Sequence, residues 1–283
     1  MFDEDNKENY MEYSSIFRDK TSDEYYPIGL FNLKLRQLDF ENITLLYGGN
    51  GCGKTTLLNI VAETIELARP KEYVRTDMFE YFVRKCTYEQ EIAIPKRSKL
   101  LASDDIFDNI LSIRSDNRTL KTAKTHAYDD VRSIKSINLS NPDDLRDIRL
   151  QNEARRLTKR QFIKRRVGEM QRQYSNGENA LMFFDKQIEE NALYLLDEPE
   201  NSMSPQLQLE LKTLIEDSVR YKNCQFVIAT HSPFILALKN AKIYNLDAVP
   251  VTVEKWYQLE NMRIYYDFFK SYEDCFVNGH KIN

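Results

Sequence analysis

The stretch GGNGCGKTT, Gly48 to Thr56, decides the fold. Gly48, Gly53, Lys54 and Thr55 satisfy the spacing G-x-x-x-x-G-K-S/T. In that spacing the glycines permit a tight turn, and successive backbone N–H groups converge on phosphate oxygens at a helix N-terminus. If the segment is such a cradle, Asn50, Gly51, Cys52, Gly53 and Thr56 would surround the phosphates, Lys54 would pair with the β- and γ-phosphates, and the Thr55 hydroxyl would ligate Mg2+. A glycine-rich turn before a helix can meet the same spacing by chance, so the flanks decide. NITLLYG (Asn42 to Gly48) is a short apolar run that predicts a strand, and TTLLNIVAETIELAR carries apolar residues at helical spacing up to Pro70. Strand, glycine loop and helix in this order predict a nucleotide-phosphate cradle.

From Lys71 to Gln173 the chain is charged and mostly helical in pattern, with few glycines and a turn signal at SNPDD (Ser140 to Asp144). This predicts an inserted helical subdomain. Beyond it, ALYLLDEP (Ala192 to Pro199) and QFVIAT (Gln225 to Thr230) are apolar runs without alternation, the pattern of strands covered on both faces. Ser204 and Pro205 read as the N-cap and first residue of a helix whose Leu207, Leu211, Leu214 and Val219 share a face. KIYNL (Lys242 to Leu246) offers another strand, and Trp256 to Phe269 reads as an aromatic helix. The alternation predicts an α/β fold.

LYLLDEPEN puts Asp197 and Glu198 at the carboxyl end of a buried strand, where an open α/β sheet holds its ligands. Asp197 there suits Mg2+ binding, and Glu198 suits polarising an attacking water. An acidic strand-end loop has the same composition. Coupling to the phosphate loop favours the chemical reading.

Together these segments resemble the ABC class of P-loop ATPases. Gly48 to Thr55 is similar to its Walker A, Leu193 to Glu198 to its Walker B with the adjoining glutamate, and ATHSP (Ala229 to Pro233) to its switch histidine, His231. YSNGEN (Tyr174 to Asn179) resembles the signature usually written LSGGQ: Ser175 and Gly177 match, whereas Asn176 and Glu178 depart from it. Ser175 and Glu178 also have the spacing of a helix capping box. ENSMSP (Glu200 to Pro205) is similar to the D-loop.

The resemblance implies a P-loop NTPase fold with one ABC-type head over residues 1–283 and a helical insertion over 71–173, between Walker A and signature. It implies ATP and Mg2+ as cofactors, hydrolysis to ADP and phosphate, and catalytic roles for Glu198, His231 and Lys54. It also implies a homodimer, in which Ser175 and Gly177 of one chain cap the γ-phosphate held by the other. Gln90 is the only glutamine between Lys54 and Gln151, yet SDDIFDNI (Ser103 to Ile110) is similar to the segment after a Q-loop, so that ligand stays unassigned. Tyr25, Tyr26 and Phe31 are candidates for stacking on adenine or for core packing. Ser232-Pro233 after the histidine and DEPENSMSP resemble the soluble branch that includes recombination, break-repair and phage-defence ATPases. With the tail NLDAVPVTVEKWYQLENMRIYYDFF, the motif set is similar to small stand-alone ATPases of that branch.

The formal net charge of -4 over 283 residues gives no global basic signature. Locally, Arg146 to Arg172 is basic: on one helix Arg156, Arg160 and Lys164 would form a basic face, with Val167, Met170 and Tyr174 on a separate apolar one. Such a face would suit the phosphates of DNA or RNA, and a solvated surface or a lid over a partner protein has the same pattern. The expected function is an ATP-driven dimer switch acting on DNA or on an effector protein such as a nuclease or toxin. A nucleotide-sensing regulatory subunit and a transporter subunit are the alternatives. Cys52, Cys86, Cys224 and Cys275 show no metal-ligand spacing, the acidic start MFDEDNKENY lacks the pattern of a signal peptide, and no apolar run is long enough for a membrane span. A cytoplasmic location is expected.

Overall fold

The computed structural model of the protein describes residues 13–15, 35, 37–67, 77–136, 145–167 and 174–278. The chain divides into two compact units, Met1–Ile106 with Asn176–Asn283, and Phe107–Ser175. The first unit holds strands β1 (Tyr13–Ser15), β2 (Gln37–Asp39), β3 (Ile43–Tyr47), β4 (Thr87–Glu89), β5 (Lys99–Ala102), β6 (Leu193–Asp197), β7 (Gln225–Ala229), β8 (Lys242–Asn245) and β9 (Thr252–Glu254). Strands β5-β6-β7-β3-β8-β9 form one sheet in that order, parallel except for the final antiparallel pair. β2-β1-β4 form a small antiparallel sheet.

The runs ITLLY, LYLLD and QFVIA are buried at every position in β3, β6 and β7. A parallel sheet covered on both faces requires this, because neither face meets water. In the register Ile43 faces Phe226 and Leu193 faces Gln225, while Leu46 and Asp197 both stand opposite Ala229. The carboxyl ends of the three strands therefore lie level, at the edge where open α/β sheets hold ligands.

The helices are α1 (Lys54–Thr64), α2 (Asp77–Val83), α3 (Ser103–Ser136), α4 (Leu145–Arg156), α5 (Lys159–Val167), α6 (Asn176–Gln187), α7 (Pro205–Tyr221), α8 (Pro233–Leu236), α9 (Glu260–Ser271) and α10 (Glu273–Asn278). Leu57, Leu58, Ile60 and Val61 of α1 pack into the same core as Leu195 and Val227 of the sheet. α1 stops at Thr64, short of Pro70, and Glu66 then turns left-handed at φ 52°. α7 starts as its sequence predicts: Ser204 Oγ accepts the Leu207 N–H at 3.4 Å and Pro205 is the first residue. It buries Leu211, Ile215, Ser218 and Val219, whereas Leu207 and Leu214 are only half-buried. The expected aromatic helix over Trp256 to Phe269 holds only from Glu260: Trp256–Gln258 is a separate 3-10 turn, Leu259 is extended, and Tyr265, Tyr266, Phe268 and Phe269 on α9 are exposed. Among the described residues no helix is long and apolar enough to cross a membrane.

Two sequence expectations are corrected. The stretch 71–173 is not all insertion: β5 pairs with β6 inside the main sheet, and the second unit begins at Phe107. KLLA is too short a run to stand out between charged flanks. Nor do Arg156, Arg160 and Lys164 lie on one continuous helix, since Arg156 ends α4 and the other two belong to α5. The break has a local cause. Thr158 Oγ1 accepts the Gln161 N–H at 3.3 Å and Gln161 Oε1 accepts the Thr158 N–H at 3.1 Å, a reciprocal cap that starts a new helix. Ile134, Ala154, Phe162 and Ile163 form the core of this second unit. Met170, on the expected apolar face, lies outside the described residues.

Leu195 is fully buried in the central sheet. Leu195→Ala should lower unfolding stability by about 2–5 kcal/mol in urea denaturation, since it leaves a cavity in a close-packed layer.

Candidate functional site

The loop between β3 and α1 turns at Gly51 and Gly53, whose φ values of 80° and 101° lie in the left-handed region. Side chains rarely tolerate that region. Gly53 has no side chain to cap α1, so the positive end of the helix dipole opens onto the loop. Asp247, just beyond β8, accepts the Gly49 N–H with both carboxylate oxygens, at 3.1 and 2.8 Å. A Cβ on Gly48 would run into Cys52 Sγ and Asp247 Oδ1. The loop is thus pinned by a carboxylate 198 residues away in sequence. Asn50, Gly51 and Thr55 are exposed, Cys52 and Gly53 half-buried, and Gly48 and Thr56 buried. Just upstream, burial raises the Tyr47 phenol above its ordinary value, against the lowering effect of the Asn261 N–H it accepts at 3.3 Å.

Lys54 is 5% exposed, and its Nζ donates to the carbonyls of Gly48 at 2.8 Å and Gly49 at 3.0 Å. A buried ammonium needs such partners. The charge therefore sits over the loop's own turn, where a phosphate chain would lie. Thr55 Oγ1 donates to Asp197 Oδ1 at 3.1 Å, joining the start of α1 to the end of β6. Hydroxyl and carboxylate oxygens of this kind suit Mg2+, which takes few protein ligands and completes its shell with phosphate and water. The donor set fits a magnesium triphosphate.

At the next position Glu198 takes φ 46°, and its N–H donates to Ala229 O at 2.9 Å. A non-glycine residue held there is strained, and the neighbouring ladder holds it. Its Oε2 accepts from Asn201 Nδ2 at 3.1 Å, and its Oε1 lies 3.6 Å from His231 Nδ1. Glu200 is buried beneath them. Its Oε1 accepts from Thr230 Oγ1 at 2.6 Å and from the His231 and Ser232 N–H groups, each at 3.1 Å.

Ser175 directly precedes α6 as its N-cap position, and Gly177 lies buried in the first turn. A Cβ on Gly177 would meet Leu207 Cδ1 at 2.7 Å and Ser202 O at 2.9 Å, so this glycine is needed where α6 runs against the segment after β6. Lys54, Thr55 and Asp197 thus come together, as do Glu198 and His231, while the closest neighbours of Gly177 belong to Ser202, Met203 and Leu207 rather than to the phosphate loop. Gln90 lies exposed just after β4. Tyr25, Tyr26 and Phe31 lie outside the described residues. Asp247 and the anchoring role of Glu200 escape sequence reading, since each acts on a segment distant in the chain and neither has a spacing that marks it.

A family model described as ABC transporter matches residues 32–201, and one described as AAA ATPase domain matches residues 168–236. No curated protein matches the chain. Among solved structures, it is similar to the Smc head domain of Pyrococcus furiosus with an extended coiled coil, bound to the C-terminal domain of ScpA: 11% identity, TM-score 0.43, covering 92% of this chain and 99% of that one. Stu0660 of Streptococcus thermophilus gives 16% identity and TM-score 0.41, covering 78% and 73%. A dimeric post-hydrolysis state of the ATP-binding cassette MJ0796 with ADP and Pi gives 13% and 0.38, covering 87% and 97%.

Two measurements check this geometry. Gly177→Ala should cost about 1–3 kcal/mol of stability by urea denaturation, because the methyl meets a backbone carbonyl that cannot withdraw freely. Lys54→Ala should weaken binding of a non-hydrolysable ATP analogue with Mg2+ by roughly 10- to 100-fold in calorimetry, the worth of a charge-assisted contact.

Proposed function

The chain belongs to the ABC transporter family of ATP-binding domains, and on that premise we propose that it works as an ATP-driven dimer switch on DNA. Its family membership makes it an ATPase that binds ATP with Mg2+ and hydrolyses it to ADP and phosphate. The observation that carries the reading of the site is the 3.1 Å contact between Thr55 and Asp197, because it joins the phosphate loop to the acidic strand end. Phosphoryl transfer to water needs positioning and charge neutralisation more than covalent help.

Each residue has a part in that reading. Lys54 would exchange its carbonyl partners for β- and γ-phosphate oxygens, and the amides of Gly51, Cys52, Gly53, Thr55 and Thr56 would line the phosphates. Mg2+, held by Thr55 and Asp197, supplies neutralising charge when bound. Glu198, steadied through Oε2 by Asn201, would hold a water in line with the γ-phosphorus. His231, beside the other oxygen, would stabilise charge that develops on the γ-phosphate.

Each chain carries one phosphate loop and one signature segment. In this reading Ser175 and Gly177 of a second copy cap the γ-phosphate, so that ATP closes a homodimer and hydrolysis opens it. Residues 1–283 then act as one ATPase domain, with the helices of Phe107–Ser175 as its insertion. The corner between α4 and α5 supports DNA as the object of the switch: Arg155, Arg156, Lys159, Arg160, Lys164 and Arg165 are all exposed there, and Arg165 pairs with Glu153 at 3.2 Å. Genome maintenance or phage defence is the setting that such a device suits.

Light scattering of wild type and Glu198→Gln, with and without Mg-ATP and a short DNA duplex, tests the reading. Mg-ATP should convert Glu198→Gln to a dimer that retains the duplex, and replacing Arg155, Arg156 and Arg160 by alanine should release the DNA without undoing the dimer. A monomer saturated with Mg-ATP would refute the dimer switch. A dimer indifferent to DNA would instead direct the switch to an effector protein such as a nuclease or toxin.

A further inference from the structure

Glu200 belongs to the segment after β6, and the chemistry above does not use it. Its side chain is almost fully buried, and one oxygen, Oε1, accepts three hydrogen bonds, all from the turn between β7 and α8. The donors are the Thr230 hydroxyl and the N–H groups of His231 and Ser232. That turn does not need Glu200 to start its helix. Ser232 Oγ already caps α8, accepting the Phe234 and Ile235 N–H groups at 3.2 and 3.3 Å.

The effect of the carboxylate is therefore concentrated on the histidine between the two clamped residues. Thr230 is 0% and Ser232 3% exposed, yet the His231 side chain is 44% exposed. Glu200 holds the flanking residues in and leaves the imidazole out. The ring has a direction as well: His231 Nδ1 is buried, 3.6 Å from Glu198 Oε1 and 3.9 Å from Glu200 Oε1. Its Nε2 edge is consequently the one turned to solvent.

We infer that Glu200 is a positioning residue, which acts through the Thr230 hydroxyl and the His231 and Ser232 N–H groups to aim His231 Nε2 at the γ-phosphate. The inference rests on the proposed role of His231. It gives the segment Glu200–Asn201 a double task, since Asn201 steadies the Glu198 carboxylate from the same turn. Motion of that segment would disturb both reacting groups at once.

A double-mutant cycle tests this, using the full chain with Glu200→Ala, His231→Ala and the pair. Glu200→Ala should lower kcat by about 10- to 100-fold, as supporting-shell losses do, with KM for Mg-ATP unchanged within about twofold. The pair should be no slower than His231→Ala alone. In the nucleotide-free protein, amide exchange at His231 and Ser232 should accelerate in Glu200→Ala while β7 keeps its protection. Glu200→Gln, which retains an acceptor, should restore most of both properties. If Glu200→Ala does not fold, Thr230→Val, which removes the shortest of the three contacts, should lower kcat and again add nothing to His231→Ala. Additive losses, or unaltered exchange at His231 and Ser232, would overturn the positioning role and leave that of His231 standing. Wild-type turnover in His231→Ala would overturn both.

Discussion

Leu46 of β3 and Asp197 of β6 both stand opposite Ala229 of β7. This register is the constraint on which the rest of the site depends. In a parallel sheet a strand cannot slip by one residue without turning its side chains to the other face. β3 delivers the phosphate loop, β6 delivers Asp197 and Glu198, and β7 delivers the turn with His231. With the three ends level, the Thr55 hydroxyl on the first turn of α1 reaches Asp197 at 3.1 Å. The burial that fixes the register is the same burial that makes β3, β6 and β7 unbroken apolar runs.

That dependence explains how much was legible in the sequence. The phosphate loop, the three central strands and the Ser204-Pro205 helix start are local signals, written in residues within one turn or one strand of each other. β5 is equally central in space, but its four residues carry too short a pattern to register. The break at Thr158 is written locally, as Thr-x-x-Gln, yet the four-residue spacing of Arg156, Arg160 and Lys164 suggested a longer helix. Asp247 and Glu200 were illegible for a different reason. Their acceptor oxygens serve backbone N–H groups, which every residue except proline possesses. Only the fold says which N–H groups come within reach.

Strain and burial recur around the same few positions. Glu198 is left-handed at φ 46°, and Glu200 Oε2 and His231 Nδ1 are buried polar atoms. Left-handed backbone at a non-glycine residue and the burial of polar atoms both lower stability. Scattered over a structure they would have no common cause. Their concentration within the ends of β6 and β7 matches the pattern of sites where local stability yields to chemical geometry.

The charges of the cradle are unevenly matched. Asp197, Glu198, Glu200 and Asp247 gather around the loop and strand ends, whereas Lys54 is the cation held within the loop itself. A triphosphate adds further negative charge at close range, where low dielectric makes like charges repel strongly. The ammonium and the helix dipole of α1 are too little to balance that sum. A divalent cation held by Thr55 and Asp197 would change the sign of the nearest interaction, so that the acidic strand end that would repel a bare nucleotide would become part of what holds the magnesium complex. On the proposed reading, selectivity for the metal-bound nucleotide would follow from the placement of Asp197 against Thr55, and replacing Asp197 by a neutral residue would remove the repulsion together with the ligand.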